Sequence, residues 1–441
     1  MKRLSFIAIV LALIGSSCGD TISQAPARTS MPPQHSTSPS AGVDIVRADF
    51  PRETSTDVTD AEMASLVDGN TEFALDLFAT ATADGGNILV SPYSIAAAIT
   101  MTYAGARGDT AAEMASTLHM ELAADRIHAA RNELDSRISE PPASFEGDAR
   151  EPFAVAIANS LWGHFDYPFL DDFLELLAVN YDAGVNLVDF VAATEEARLA
   201  INAWVEEQTN DRIKDLIPEG VITSLTRLVI VNAIWFKANW AHQFDPANTA
   251  DGQFTLLDDS TVTVPLMHQV ERLGLATGDG YTAVRLPYAG DAAMIIVLPD
   301  AGQFGAISSR LTEGELTDIG FSDHQLDLTL PRWEFEAEVG LKQILQDLGM
   351  VAAFTAPSLP DGADFTGITE SRELFVHDVL HKAFIAVDEH GTEAAAATAV
   401  IIGLRAAPPP ATMTIDRPFL YVIEHSSTGE VLFIGQVIDP S

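Results

Sequence analysis

The longest candidate for a buried strand in this 441-residue chain is residues 228–236, LVIVNAIWF, in which Asn232 is the only polar residue. A run so continuous in apolar side chains is typical of a central strand that is covered on both faces. An unpaired amide inside such a strand costs about 1–3 kcal/mol. We therefore expect Asn232 to have a fixed hydrogen-bond partner.

A second stretch, residues 387–410, reads VDEHGTEAAAATAVIIGLRAAPPP and is compatible with two structures. Alanine has the highest helix propensity, so one interpretation is an alanine-rich helix. The other is a strand, because the second half is β-branched and no proline interrupts residues 392–405. One face of that strand would carry only small or apolar, uncharged side chains, namely Thr392, Ala394, Ala396, Thr398, Val400 and Ile402. The stretch can lie outside a sheet as a loop and also fit inside one.

This stretch resembles the reactive-centre loop of serpins, a family of serine protease inhibitors. The residues that match the hinge of that loop are Glu389, Gly391, Thr392, Glu393, Ala394 and Ala396. Counting from Glu389, the resemblance implies that the bond cleaved by the target protease is Arg405–Ala406. An arginine there implies trypsin-like serine proteases as partners. Leu404 or Ala406 as the specificity residue, and subtilisin-like targets, remain alternatives.

Two further segments carry the resemblance. Residues 87–94, NILVSPYS, and the block from Asn232 to Trp240 are similar to serpin signatures. The resemblance implies a hydrogen-bonded gate through which the central sheet opens, with an aromatic residue at its top; its residues are Ser91, Ser94, Asn232, His381 and Trp240. For Ser91 and Ser94 the simpler interpretation is that they are turn and helix-cap hydroxyls.

The resemblance covers about residues 60–440 and implies a single serpin domain over 60–441. The implied fold class is α+β, with a large, mostly antiparallel central sheet, smaller sheets, eight or nine helices and an exposed loop. Local patterns agree with this. Thr59 and Glu62 form a capping box that begins a helix, and residues 264–267 and 293–299 are short strand candidates.

Composition restricts the partners. The chain has 24 basic and 63 acidic residues and a formal charge of −39, which argues against nucleic acids, glycosaminoglycans and anionic membrane surfaces. It has no Gly-x-Ser-x-Gly elbow, His-Glu-x-x-His motif or phosphate-binding loop, so we expect no enzyme activity, metal or cofactor. An inhibitory, monomeric serpin is expected. The alternative is a non-inhibitory serpin that acts as a binding protein.

The N-terminus predicts export. A basic start, a short apolar run and small residues before Cys18 are typical of a signal peptide over 1–17. Cys18, the only cysteine, lies where a bacterial lipoprotein carries its lipid, although an ordinary signal peptide ending near Cys18 is also compatible. The Ser-, Thr- and Pro-rich residues 18–59 predict a flexible tether. We expect secretion across the inner membrane, as a cell-envelope lipoprotein or an extracellular or periplasmic protein.

Overall fold

The structure is a computed structural model that describes residues 34–36, 43–140, 154–317, 319–392 and 409–441. The predicted signal peptide, Cys18 and the loop residues Glu393, Ala394, Ala396, Arg405 and Ala406 lie outside the described residues. Within the described part, no helix combines the length and the apolar character needed to cross a membrane.

The described residues contain eight α-helices. They are α1 (Asp60–Ala81), α2 (Pro92–Tyr103), α3 (Gly108–Thr117), α4 (Ala124–Ser139), α5 (Asp171–Tyr181), α6 (Thr194–Gln208), α7 (Phe304–Thr312) and α8 (Leu341–Asp347). The predicted capping box is confirmed. The Thr59 hydroxyl accepts the backbone N–H of Glu62, and the Glu62 carboxylate accepts the backbone N–H of Thr59 at 2.9 Å.

The described strands number seventeen. They are β1 (Gln34–Ser36), β2 (Asp44–Arg47), β3 (Ile88–Val90), β4 (Ala154–His164), β5 (Val185–Val188), β6 (Leu228–Asn239), β7 (Ala250–Thr255), β8 (Thr261–Gly278), β9 (Tyr281–Pro287), β10 (Ala292–Pro299), β11 (Ser322–Pro331), β12 (Trp333–Gly340), β13 (Val379–Val387), β14 (Gly391–Thr392), β15 (Ala411–Thr414), β16 (Phe419–His425) and β17 (Val431–Val437). The strand predicted at residues 264–267 is only a part of β8, which is 18 residues long.

The strands form two sheets. The eight-stranded central sheet has the order β1-β2-β5-β4-β6-β14-β13-β12, and the nine-stranded second sheet has the order β15-β11-β8-β9-β10-β16-β17-β3, with β7 paired to β8. In the central sheet β6 also pairs directly with β13, in parallel, below the two-residue strand β14. Strand β6 therefore lies in the middle of the eight-stranded central sheet.

The burial of β6 confirms its predicted central position. Its residues are all buried except Lys237, which is partly exposed. Val229, Val231 and Ala233 pack in the core beneath α6, whereas Ile234 and Phe236 pack in the core shared with the second sheet. Because each face of β6 meets a different apolar layer, its sequence is apolar without alternation.

The tether predicted over residues 18–59 is shorter in the structure. Strand β2 extends the edge of the central sheet by pairing with β5. Arg52 donates to the Asn132 side chain at 2.7 Å, and Arg126 donates to Asp57 at 2.7 Å. The ordered body thus begins no later than residue 43 rather than at residue 60. An edge strand needs only backbone partners, which a Ser-, Thr- and Pro-rich composition does not reveal.

Candidate functional site

Asn232 is the centre of a buried hydrogen-bond network. Its Nδ2 donates to Ser94 Oγ at 2.8 Å and to Asn159 Oδ1 at 2.7 Å. Its Oδ1 is 2.5 Å from His381 Nδ1. The expectation of a fixed partner is met, with one partner on each of three elements.

The network defines the state of His381. Because an amide oxygen accepts, His381 Nδ1 must carry the proton, and its Nε2 then accepts the backbone N–H of Ser91 at 3.3 Å. Burial lowers the pKa of His381 to about 3. His381 is therefore a neutral structural residue, and the described residues place no carboxylate on either of its ring nitrogens.

Ser91 caps a helix, as the simpler interpretation expects, and both Ser91 and Ser94 also take part in the hydrogen-bond network. Ser91 is the N-cap of α2, since its Oγ accepts the backbone N–H of Ser94 at 3.3 Å. The same Oγ donates to the carbonyl of Leu432 on β17 at 2.7 Å. Ser94 Oγ bonds to Asn159 on β4 at 3.1 Å. The start of α2 is thereby tied to both sheets.

The network crosses the line where β6 and β13 meet. These strands pair in parallel from Val379–Ile230 to Phe384–Trp235, with His381 directly opposite Asn232. Any strand that entered between β6 and β13 would have to separate these two side chains. We call Ser91, Ser94, Asn159, Asn232 and His381 the shutter.

Strand β14 lies between the same two strands at their other end. Gly391 pairs with Asn239 and Thr392 with Ala238 on β6, and Thr392 also pairs with Val387 on β13. A Cβ on Gly391 would lie 2.0 Å from the Ala238 carbonyl oxygen, so only glycine fits. The hinge thus already occupies the top of the gap.

Trp240 contacts this hinge, where the resemblance implies it. Its backbone N–H donates to the His390 carbonyl at 2.8 Å, and its Nε1 donates to the Asp388 carbonyl at 2.9 Å. Its ring stacks on Tyr288 at 4.4 Å with 6° between the planes. The Tyr288 hydroxyl lies 2.8 Å from Thr392 Oγ1. Thr392 is completely buried.

Glu389 anchors the hinge through its side chain. It is 4% exposed, accepts from Thr249 Oγ1 at 2.6 Å and lies 3.6 Å from Arg332 Nε. The ligand atoms of Asp388, Glu389 and His390 lie within 4.8 Å of one another. However, Glu389 is already bonded to Thr249 and faces the positive charge of Arg332, which opposes cation binding. We assign no metal to this cluster.

Two residues of the site were not found from the sequence. Asn159 on β4 is opposite Asn232 on the neighbouring β6, and Tyr288 follows β9. Neither carries a local pattern, because their contacts depend on the register between strands that are far apart in the chain. Only knowledge of the strand pairing could have identified them.

A family model described as Serpin (serine protease inhibitor) matches residues 68–440. An uncharacterized serpin-like protein of Thermococcus kodakarensis is 34% identical over 449 residues, which cover 100% of this chain and 99% of that protein. The leukocyte elastase inhibitor of Bos taurus is 37% identical over 392 residues, which cover 86% of this chain and 100% of that protein.

A solved structure agrees. Serpin48 of the insect Tenebrio molitor aligns with a TM-score of 0.77 at 27% identity, covering 87% of this chain and 100% of that one. The chain therefore belongs to the serpin family of serine protease inhibitors. The predicted α+β serpin fold is confirmed. Membership also assigns the chain to a class of inhibitors rather than enzymes.

Proposed function

We propose that this protein is an inhibitory serpin that traps trypsin-like serine proteases. The protease would cleave Arg405–Ala406 and form an acyl-enzyme, and the freed loop would then enter the central sheet between β6 and β13. The observation that carries this proposal is β14, because Gly391 and Thr392 already pair in that gap. Insertion would therefore extend a strand that exists rather than begin a new one.

The register of β14 allows this extension to be followed. Thr392 pairs with Ala238 on β6 and with Val387 on β13, and β14 is antiparallel to both. Counting six residues forward from Thr392 and six residues back along β6 and β13, Thr398 would come opposite Asn232 on one side and His381 on the other. Insertion in this register would separate the two shutter residues and provide a hydroxyl between them.

The same register supports the position of the cleaved bond. Thirteen residues beyond Thr392, Arg405 would come opposite Leu225, three residues before β6 begins at Leu228. The segment between the hinge and Arg405 thus has the length needed to run along the whole of β6. A protease attached to residue 405 would be carried from one end of the sheet to the other.

The energetics favour insertion of this particular sequence. Each new ladder bond contributes about 0.5–1.5 kcal/mol, which roughly offsets about 1–2 kcal/mol per residue for fixing the backbone. Burial of Val400 and Ile402, on the same strand face as Thr392, adds about 1.5–3 kcal/mol each. The residues on that face carry no charge, so no charged side chain would have to be buried. Release of strain in the closed sheet would supply the remainder.

The proposed preference for trypsin-like proteases is inferred from Arg405 and not from the target named for a relative. The Bos taurus relative is named an elastase inhibitor, whereas an arginine fits proteases whose pocket holds a buried carboxylate. The test is to mix the purified protein with trypsin, which should give a covalent complex that survives SDS. Clean cleavage without a complex would overturn the inhibitor proposal and favour a binding protein. An unchanged rate of trypsin inhibition by Arg405→Glu would place the cleaved bond elsewhere.

The expected location is also a proposal. The first 17 residues have the pattern of an export signal, and Cys18 is the only residue in the chain that can carry a thioether-linked lipid. We propose that residues 18–33 tether the folded body, whose first described strand is β1, to a membrane through this lipid. Mass spectrometry of the native N-terminus should find diacylglyceryl-modified Cys18. An unmodified N-terminus after Cys18 would indicate a released, secreted form.

A further inference from the structure

Glu430 is a buried carboxylate that the proposed mechanism does not use. It precedes β17, has no exposed surface, and both of its oxygens lie 3.0 Å from Nδ2 of Asn70 on α1. The pKa of Glu430 is raised to about 7, mainly because burial disfavours the charged form; the nearby Asp135 contributes to the rise, while Arg131 and the Asn70 bond oppose it.

Arg131 and Asp135 on α4 complete the cluster around Tyr93. Arg131 is 1% exposed, its guanidinium lies 4.7 Å from the Tyr93 ring centre, and its Nη2 donates to the Tyr93 carbonyl. Its Nε is 3.6 Å from the Asp135 carboxylate, which accepts the Tyr93 hydroxyl at 2.8 Å. Among the residues that the structure describes, none accepts a hydrogen bond from Arg131 Nε or Nη1.

The cluster cannot carry all its charges without a large cost. The buried guanidinium of Arg131 interacts electrostatically with two carboxyl groups, Glu430 and Asp135, and burial raises the pKa of Asp135 as well. One carboxyl group is therefore held in its protonated form more strongly than it would be in water. Charged or titratable groups that contact the cluster are Arg52, Tyr93, His128, Tyr181 and His425. Arg52 lies 3.8 Å from Asp135, Tyr181 lies near Arg131 and Asp135 and bonds to His128, and the His425 backbone N–H donates to the Glu430 carbonyl.

Two short covalent connections join this cluster to the shutter. Tyr93 lies between Ser91 and Ser94, so the side chain and carbonyl that Arg131 and Asp135 hold belong to the first turn of α2. Glu430 is two residues before Leu432, whose carbonyl accepts Ser91 Oγ at 2.7 Å. A displacement of either Tyr93 or Glu430 must move a hydrogen-bond partner of the shutter.

We propose that the Glu430–Arg131–Asp135 cluster is a proton-operated brace of the shutter, which holds the sheet closed when Glu430 is protonated and loosens when it ionises. The claim that the brace regulates loop insertion rests on the proposed function. The claim that it stabilises the closed sheet does not depend on that function. The folded protein holds this proton more tightly than the unfolded chain. The stabilisation is therefore complete below the ordinary glutamate pKa and is lost as the pH rises through about 7.

The test measures amide hydrogen exchange of residues 91–99 without any protease. Wild type and Glu430→Gln are compared at the same pH, from about 5.5 to about 8.5, so that the intrinsic pH dependence of exchange cancels. Glutamine keeps an acceptor for Asn70 and does not titrate. Glu424→Gln, in the same hairpin but paired with Arg285 outside the cluster, is the matched control.

We expect wild type and Glu430→Gln to exchange alike at the lower pH. At the higher pH, wild type should exchange about tenfold faster, the effect of one pKa unit of coupling. Glu424→Gln should follow wild type throughout. Equal exchange of wild type and Glu430→Gln at every pH, or a difference that does not change with pH, would overturn the brace. If Glu430→Gln does not fold, Glu430→Met provides a second side chain of similar size that does not titrate.

The hydrogen-exchange result and the test of the proposed function can fail independently of each other. Failure to form an SDS-stable complex with trypsin would overturn the inhibitor proposal and leave the exchange result standing. If complexes form, their rate of formation at high pH should be greater for wild type than for Glu430→Gln, while Glu424→Gln matches wild type. Equal rates would remove the regulatory part of the proposal.

Discussion

His381 Nδ1 and Asn232 Oδ1 are 2.5 Å apart across the line where two parallel strands meet, and both residues are buried. This side-chain bond adds to the backbone pairing of β6 with β13, at the boundary that an entering strand would separate. The contribution of this bond can be tested by substituting either of the two residues.

Removing the Asn232 side chain should destabilise the closed sheet. Asn232→Ala would leave His381 Nδ1 without a partner, at about 1–3 kcal/mol, and would remove one bond each from Ser94 and Asn159, at about 0.5–1.5 kcal/mol each, although these two stay bonded to each other. We expect the free energy of unfolding, from urea titration, to fall by at least about 2 kcal/mol. The matched control is Asn248→Ala, at an exposed position, which should change it by less than about 0.5 kcal/mol. A loss no larger than the control's would show that the network does not support the fold.

The neutral state of His381 predicts a loss of stability in acid. Its pKa is about 3 in the folded protein, against 6.5 for an ordinary histidine, so the unfolded chain binds the extra proton first. Stability due to this group is therefore present above about pH 6.5 and is lost as the pH falls towards about 3. His381→Gln, which is always neutral, should lose less stability over that range in urea titrations. His268→Gln, at a partly exposed site, should behave as wild type. Identical acid sensitivity in all three proteins would contradict the assignment.

The Tyr288–Thr392 bond should hold the hinge in the gap. A double-mutant cycle with Tyr288→Phe and Thr392→Val removes each hydroxyl separately and together. We expect a coupling free energy of about 0.5–1.5 kcal/mol in urea unfolding. In a control cycle Tyr281→Phe replaces Tyr288→Phe. Tyr281 is the first residue of β9, the strand that Tyr288 follows, and it should give no coupling with Thr392→Val. Additive effects in the first cycle would mean that the two hydroxyls do not support one another.

A charge at the hinge should convert an inhibitor into a substrate. Thr392 is completely buried between β6 and β13, so Thr392→Arg would keep the hinge out of the gap without altering the cleavage site. Trypsin should cleave this variant at the wild-type rate and form no SDS-stable complex. Thr261→Arg, at an exposed strand position, should remain inhibitory. Inhibition retained by Thr392→Arg would contradict insertion from this end.

A helix or strand could be predicted from the sequence where its own residues carry a hydrophobic or capping pattern. The apolar run of β6 predicted a strand covered on both faces, and the capping box predicted the first turn of α1. Strand β2 could not be predicted, because its partners are backbone groups of β1 and β5. Glu430 could not be assigned to a core either, because nothing in its neighbouring residues distinguishes a buried acid from the many exposed ones.

The site was predictable to the extent that a family pattern exists for it. The resemblance singled out Asn232, His381 and Trp240, and the structure brings the first two into contact and places the third on the hinge. Tyr288 and Asn159 required the strand register, which sets contacts between residues more than fifty positions apart.

The strand directions around β6 have a consequence for the lifetime of the native protein. Below β14, β6 and β13 point the same way, an arrangement with slanted and slightly weaker ladder bonds, while β14 opposes both. A full-length strand in the position of β14 would replace the parallel pairing of β6 with β13 by two antiparallel pairings. Under the proposed function, the lifetime of the native protein would be set by how slowly β6 and β13 separate.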